Sequence, residues 1–439
     1  METRFGSLDL QTFASGDYQE PACGERIGEL TGDGPVIARG AGVSYVGASF
    51  GERTRSISMR RLNRILSFAP ETKRITVEAG TSLGALYNFL VPYRLYLPVQ
   101  PGHPQISVGG CVACNVHGKN PQRDGMFADL VEGLQLFHPA HGVLTLSREQ
   151  HADVFDLTCG GFGLTGIILS VTLRLSDLPA PMVEVRKVPV RHLEDTCEQV
   201  DALKSQYDFL YTWNDLSTFG KHMGRGYVCC GRFVADAAAG DDALPAYQPL
   251  PTPASPHWRP ALLRRWTIPW ITRVHFHWQL QHPIERLRLF EMMYPGMRSG
   301  YYFDLYGPTG FFAHMVLVPH DRWRNYVRRL DAILRTQREP IVALAIKAFA
   351  GPQRLLHFNG TGFSMHSHVA NTPGGRRLLG AMEALSHEFG AIRTIYFDSR
   401  LSADAARALY PEYDSFKERL HRFDPARIFA SALSRRLEL

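Results

Sequence analysis

Three short stretches of this 439-residue chain hold side chains suited to moving a proton or gripping an anion. In the run 341–349, IVALAIKAF, Lys347 is the one charge in an otherwise apolar strand-like segment. A charge inside such a run is costly unless paired, which marks the lysine as a functional candidate, with an edge-strand surface lysine as the alternative. In 362–368, GFSMHSH, the two-residue alternation of a strand puts Ser364, His366 and His368 on one face. Imidazole titrates near neutral pH, so a histidine there suits general acid–base work. The run His117-Gly118-Lys119-Asn120 sets a histidine and a lysine directly after a glycine-rich turn, where a bound anion or a reacting atom could use them.

Those groups need a frame, and the glycines describe one. Residues 101–120, PGHPQISVGGCVACNVHGKN, contain Gly102, the turn Ser107-Val108-Gly109-Gly110, and Cys114-Asn115-Val116. Glycine has no Cβ to hold a ligand away and tolerates positive φ, so the backbone here can pass against something flat or phosphorylated. A second such turn, ARGAGVSYVGA over 38–48, follows the apolar run Pro35-Val36-Ile37, and a third, GGFGLTGII, covers 160–168. One glycine-rich segment is as readily a surface loop; three in series suggest a shared platform. Strand-like runs at 35–38, 56–59, 74–78, 131–137 and 166–175 alternate with these turns, and Leu83, Leu86, Tyr87 and Leu90 keep helical spacing. The mixture predicts an α+β fold with a segregated cofactor domain over 1–178. Prolines at 179 and 181 mark a boundary to a second domain, 179–375, whose segments 183–240 and 298–370 read as strands with intervening helices.

Composition narrows the partners. A net charge of +6 without a dense Lys/Arg run argues against a nucleic-acid footprint. No run of eighteen apolar residues occurs and the N-terminus lacks an apolar signal core, so a cytoplasmic, at most membrane-peripheral, location is expected. Seven scattered cysteines suit a reducing compartment rather than a disulfide framework. Cys111 and Cys114 have no second pair at zinc spacing, so no metal is expected, and adjacent Cys229 and Cys230 would point to opposite faces of a strand. The stretch 248–292 stands apart: four of the six tryptophans (258, 266, 270 and 278) are interleaved there with arginines. It reads as a lid over the substrate, a water–lipid contact, or a protein interface.

The three glycine segments, in this order and spacing, resemble the FAD-binding domain of the vanillyl-alcohol-oxidase-like (PCMH-type) flavoprotein superfamily. The HGKN run and the C-terminal Phe429-Ala430-Ser431 followed by Arg435-Arg436-Leu437-Glu438-Leu439 resemble its decaprenylphosphoryl-β-D-ribose oxidase branch. The resemblance runs along nearly the whole chain, through Trp213, the 306–311 segment YGPTGF, Lys347 and Asp398-Ser399-Arg400. It implies a mostly antiparallel sheet covering the flavin and a return of 376–439 to the first domain, with helices at 376–389, 402–409 and 414–422.

It also implies non-covalent FAD as cofactor, since Val43 stands where members with attached flavin carry a histidine. The flavin contacts are expected from Ala38, Arg39, Gly40, Ala41, Gly42, Val43, Ser44, Tyr45, Val46, Gly47 and Ala48, with the amides of Gly40–Ser44 as an anion-binding nest for the pyrophosphate. Gly102, Ser107, Val108, Gly109, Gly110, Cys114, Asn115, Val116, His117, Gly118, Lys119 and Asn120 would line the ring. Gly163, Gly166 and Ile168 would line the adenine side, and Thr394 adds a further contact. His117, Tyr45, Lys347 and His366 are the expected catalytic set, Lys347 and His366 each being a candidate base. Trp213, Ala313, His314, Met315, Ser364, His368 and Phe397 would form the substrate pocket.

In that pocket the branch pattern breaks. A family pair of glutamines aligns with Ala313 and Met315, a lysine with Phe397, and a cysteine with His366. The flavin half is kept while the substrate half is rewritten. The expected function is therefore FAD-dependent oxidation of an alcohol of a sugar, aminosugar, cyclitol or polyol by hydride transfer to flavin N5. The branch's own epimerase-type oxidation with a partner reductase, a lactone or alditol oxidase, and a flavin-binding partner protein without turnover are the alternatives.

Overall fold

Alternating apolar residues become strands wherever a turn lets the chain reverse. The computed structural model describes residues 2–32, 34–220, 223–235, 247–248, 259–295, 302–341 and 343–439. Its N-terminal part carries a two-stranded ribbon, Leu95–Tyr96 with Ser176–Asp177, and two larger sheets. One has the order Glu2–Gly6, Phe13–Gln19, Arg55–Ser58, Val36–Arg39, the first pair antiparallel and the other two parallel. The other is antiparallel, in the order Ile65–Ala69, Arg74–Glu78, Ile167–Arg174, Val131–His138, Gly142–Ser147. Gly166 enters that sheet at φ +145°, with a hypothetical Cβ only 2.5 Å from the Phe137 carbonyl oxygen, so no other residue fits there.

The helices Leu83–Leu90 and Val108–Cys114 pack against this second sheet. The first buries Leu83, Leu86, Tyr87 and Leu90, the apolar stripe its spacing predicts. Burial of each such leucine contributes about 1.5–3 kcal/mol. Ser82 and Ser107 cap the two helices by accepting from the Ala85 and Gly110 amides.

Two four-stranded antiparallel sheets follow. One runs Phe209–Asn214, Gly226–Val234, Met182–Val190, Ile284–Arg288, and the other Ala343–Phe349, Gly362–Ala370, Phe311–Pro319, Ile392–Arg393. They meet edge to edge, where Thr212 Oγ1 accepts a 2.9 Å hydrogen bond from the Ile346 amide. Behind them lie the helices Leu193–Leu203, Trp323–Gln337 and Pro373–Glu388. Residues 312, 316, 318, 346, 363, 365 and 369 point into the core between these helices and the sheet. Their neighbours 315, 347, 364, 366 and 368 therefore face the other way. Cys229 and Cys230 fall into different hydrophobic clusters, as expected of strand neighbours, and all seven cysteines are free.

The fold is α+β. The tail returns to the first sheet later than its sequence suggests, because Pro373–Glu388 stays on the second half and Ile392–Arg393 joins the sheet there. The return is made by Phe429 beside Val36 and by the Leu433 amide donating to the Gly47 carbonyl. Trp258 and residues 221–222, 236–240, 249–257, 298–301 and 342 of the anticipated segments lie outside the described residues. No helix among the described residues is long and apolar enough to cross a membrane.

Candidate active site

Between the glycine turns and the free face of the paired sheets lies a cavity of about 1050 Å³, lined by residues from Leu8 to Phe397. One wall is Ala38, Gly40–Tyr45 and Ala48, with Gly102, Ser107, Gly109, Gly110, Cys114, Val116, His117 and Lys119, and Gly163, Gly166 and Ile168. Backbone approach explains the glycines. A Cβ on Gly40 would sit 2.3 Å from Ser107 Oγ, one on Gly109 would sit 2.9 Å from Ala79 Cβ, and Gly42 holds φ +75°. None of the amides from Gly40 to Tyr45 donates to an acceptor among the described residues. Such a row of unpaired turn amides is an anion-binding concavity.

The opposite wall carries the titratable groups. Lys347 Nζ donates 2.8 Å to the Gly118 carbonyl, tying the lone strand lysine to the HGKN run. Burial and the charge of Lys119 push the Lys347 amine well below its usual range, and burial brings Lys119 down to about 8. His117 Nδ1 lies 3.2 Å from the Tyr396 hydroxyl. Burial first, then Lys347, His366 and Lys119, hold its imidazole well below 6.5. His368 Nδ1 meets the Tyr302 hydroxyl at 3.0 Å, and burial lowers its pKa to about 3.

His366 is different. Neither of its ring nitrogens has a hydrogen-bond partner among the described residues, and Nε2 is enclosed. Burial, with His368, Lys347 and His314 nearby, keeps the ring neutral at pH 7. The remaining surface of His366 and Lys347 faces the cavity rather than bulk water. Phe397 packs 4.6 Å, centroid to centroid, from both the His366 and Tyr45 rings. Burial raises the Tyr45 hydroxyl, so it stays protonated.

These neutral histidines carry a consequence for stability. Their folded pKa lies below the unfolded value of about 6.5, so between the two the unfolded chain binds more protons. The stability they confer is present above pH 6.5 and is lost as pH falls towards the folded value. Each contributes a slope of about 1.4 kcal/mol per pH unit in that window. Urea midpoints of the flavin-free protein should fall steadily from pH 6.5 to pH 5. A flat profile would show that His117, His366 and His368 charge freely in the folded chain.

Several expected contacts prove to be supports. His314 points away from the cavity, its Nδ1 3.6 Å from Asp398 Oδ2. Burial alone would raise the Asp398 carboxyl, but His314 and the Arg393 guanidinium hold it well below the usual carboxylate range. Ala313 faces the right way but packs under Leu263, Ile268, Tyr306 and Phe311. Thr394 donates to the Met315 carbonyl from both its amide and its Oγ1, at 2.9 Å each. Arg39 bonds Ser49 and lies over the Phe5 ring, and Gly47 accepts from Leu433. Val46 and Val108 are core residues. Asn115 accepts from the Ala128 amide, Asn120 donates to the Tyr207 carbonyl, and Gly118 is packed against Val99. None of these ten residues lines the cavity.

Trp213, Met315, Ser364, His368 and Phe397 do line it. Sequence reasoning missed Tyr302, Phe303 and Tyr396, whose rings wall the same chamber, and a polar end around Lys187, Tyr211, His275 and Glu285. Only Tyr396 had a local signal, as neighbour to Phe397. Of the tryptophan-rich segment, Ile271, Thr272, His275, Trp278 and Gln279 border the cavity, while Trp266 and Trp270 are exposed and cover nothing within it.

Comparison with known proteins agrees with this geometry. A family model described as an FAD binding domain matches residues 31–147. Decaprenylphosphoryl-beta-D-ribose oxidase of Mycolicibacterium smegmatis is 28% identical over 425 residues, covering 94% of this chain and 91% of that protein. L-gulonolactone oxidase of Mus musculus is 34% identical over 165 residues, 36% of this chain and 35% of that protein. The mitochondrial D-lactate dehydrogenase (cytochrome) of Arabidopsis thaliana is 31% identical over 151 residues, 33% of this chain and 26% of that protein. Residues 31–147 carry an FAD-binding domain, FAD is the cofactor, and the three relatives named are two oxidases and a dehydrogenase.

Proposed function

We propose that the protein is an FAD-dependent oxidoreductase that oxidises an alcohol carbon of a sugar, aminosugar, cyclitol or related polyol. The observation that carries the reading is His366: a neutral imidazole whose buried Nε2 has no hydrogen-bond partner among the described residues, on the wall that faces the glycine turns, beside Lys347. FAD, when bound, supplies the hydride acceptor at N5. His366 takes the hydroxyl proton as the C–H bond breaks, which leaves a carbonyl on the substrate. Lys347 and Tyr45 present N–H and O–H donors that orient the reacting oxygen. His117, held against Tyr396, keeps the HGKN run in register with Lys347. Aromatic rings from Tyr45, Phe303 and Phe397 exclude water around the reacting carbon.

The amides of Gly40–Tyr45 would hold the pyrophosphate without a basic side chain. Attachment of the flavin to the chain is not expected. Val43 has no nucleophile, and burial pushes the Cys114 thiol up to about 12, far from thiolate. The purified protein should be yellow and release intact FAD on acid precipitation; colour retained in the pellet would overturn this.

Anaerobic addition of sugars, aminosugars, cyclitols and alditols to the oxidised holoprotein tests the function. Bleaching of the flavin by a member of this set is the expected result. No bleaching by any alcohol would favour a flavin-binding protein without turnover. Within the set, Met315 and Phe397 make the pocket apolar at two points where the resembling branch is polar. A site that hydrogen-bonds a hydroxyl discriminates strongly, and removing its partners redirects that choice. A polyprenyl-phosphoryl ribose should therefore be turned over weakly or not at all, and efficient oxidation of it would return the chain to the branch's own chemistry.

A further inference from the structure

The helix Ile268–Gln281 is apolar on two opposite faces. Ile268, Thr272, Phe276 and Leu280 form one row at four-residue spacing and pack inward, Ile268 and Thr272 fully buried and Phe276 and Leu280 against the large core. Trp266, in the turn just before the helix, precedes Trp270, Val274 and Trp278, which form a second row two residues out of phase, hence on the far side. The four are 76%, 70%, 67% and 57% exposed. Ile271, Leu262 and Ile284 beside them are also exposed. A helix apolar all round is ordinarily buried, and a contiguous exposed patch of this kind marks an interaction surface.

Charge says what covers it. Between positions 243 and 284 the sequence has no Asp or Glu, while Arg265 and Arg273 stand exposed beside the tryptophan row. Neither arginine has a carboxylate partner among the described residues. Tryptophan sits at the headgroup level of a bilayer and exposed arginines are drawn to anionic headgroups. We propose that the outer face of this helix docks the protein onto an anionic phospholipid bilayer. Trp278 and Ile271 belong both to the patch and to the cavity wall, so docking would bring the cavity mouth against the membrane surface. The inference is independent of which alcohol is oxidised.

The test uses the full-length holoprotein with vesicles of phosphatidylglycerol and phosphatidylcholine, against pure phosphatidylcholine vesicles. Co-sedimentation with the anionic vesicles, weakened by added salt and accompanied by a blue shift of tryptophan emission, is expected. The triple substitution Trp266→Ser, Trp270→Ser, Val274→Ser should lower partitioning at least tenfold, with flavin absorbance unchanged because these side chains touch neither core nor cavity. Arg265→Glu with Arg273→Glu leaves the apolar row intact and should abolish the preference for anionic over neutral vesicles. No binding to anionic vesicles, or binding untouched by either set of substitutions, would overturn the proposal. So would a stable dimer in solution that the triple substitution converts to monomer, since a second copy would then be the occupant.

Discussion

His366→Ala is expected to slow flavin reduction by substrate about 100-fold or more while leaving the bound FAD in place. General acid–base groups contribute roughly 10²–10⁴ in rate, and a loss of 100-fold corresponds to about 2.7 kcal/mol of barrier. The imidazole is neutral because burial, with His368 and Lys347 nearby, keeps it so. Its basic form is therefore present throughout the neutral range and is lost only as pH falls through a value below 6.5. The acid limb of kcat/KM should lie below that value and vanish in the alanine variant. Lys347→Ala should reduce the rate as well, but with the acid limb preserved, because the amine orients and His366 accepts. Loss of FAD together with activity would show that His366 holds up the cofactor or the fold. An unchanged rate would remove it as the base.

Gly40→Val should weaken flavin binding at least tenfold. The new Cβ would come 2.3 Å from Ser107 Oγ, the group that caps the helix Val108–Cys114 through the Gly110 amide. Forcing extra bulk into a packed site costs about 1–3 kcal/mol, and losing an N-cap costs about 1 more. Both penalties fall on the loop whose free amides face the cavity, so they are charged against binding. At about 1.4 kcal/mol per tenfold, FAD affinity should drop by at least tenfold. Gly380→Ala is the control, since an added Cβ there has no heavy atom within 4 Å. Measuring FAD content and its dissociation constant settles the matter; a Gly40 variant as yellow as the parent would show that the turn does not approach the cofactor.

Much of the cavity's glycine wall was legible because glycine's role is local. Positive φ at Gly42 and Gly163, and the close approaches at Gly40 and Gly109, are demands that a few neighbouring residues impose, and the sequence states them openly. The face of 362–368 was equally legible. Polar residues at 364, 366 and 368 alternate with Phe363, Met365 and Val369, whose burial against the rear helices is the expected partition.

The strand Phe311–Pro319 shows where that logic stops. All but its last residue are buried, on both faces, so period two alone cannot say which face sees the cavity. Adjacent residues cannot share a face, and His314 and Met315 could not both line the pocket. The choice was made by Asp398, far along the chain, which claims His314 behind the sheet and leaves Met315 in front. Thr394 and Asn120 likewise looked like ligand contacts until their polar groups were found committed to distant carbonyls.

By itself, then, the sequence determined the α+β class, the glycine wall of the cavity, the alternation that aims Ser364, His366 and His368 together, and the lone lysine at 347. Each follows from backbone sterics or from a short-range period, which a few residues carry in full. The tertiary structure alone decided which buried strand face lines the cavity, which polar side chains are spent on the frame, and which face of the tryptophan helix stays outside. Those outcomes depend on partners far along the chain, and desolvation gives a polar or aromatic side chain its role only once such partners are in place.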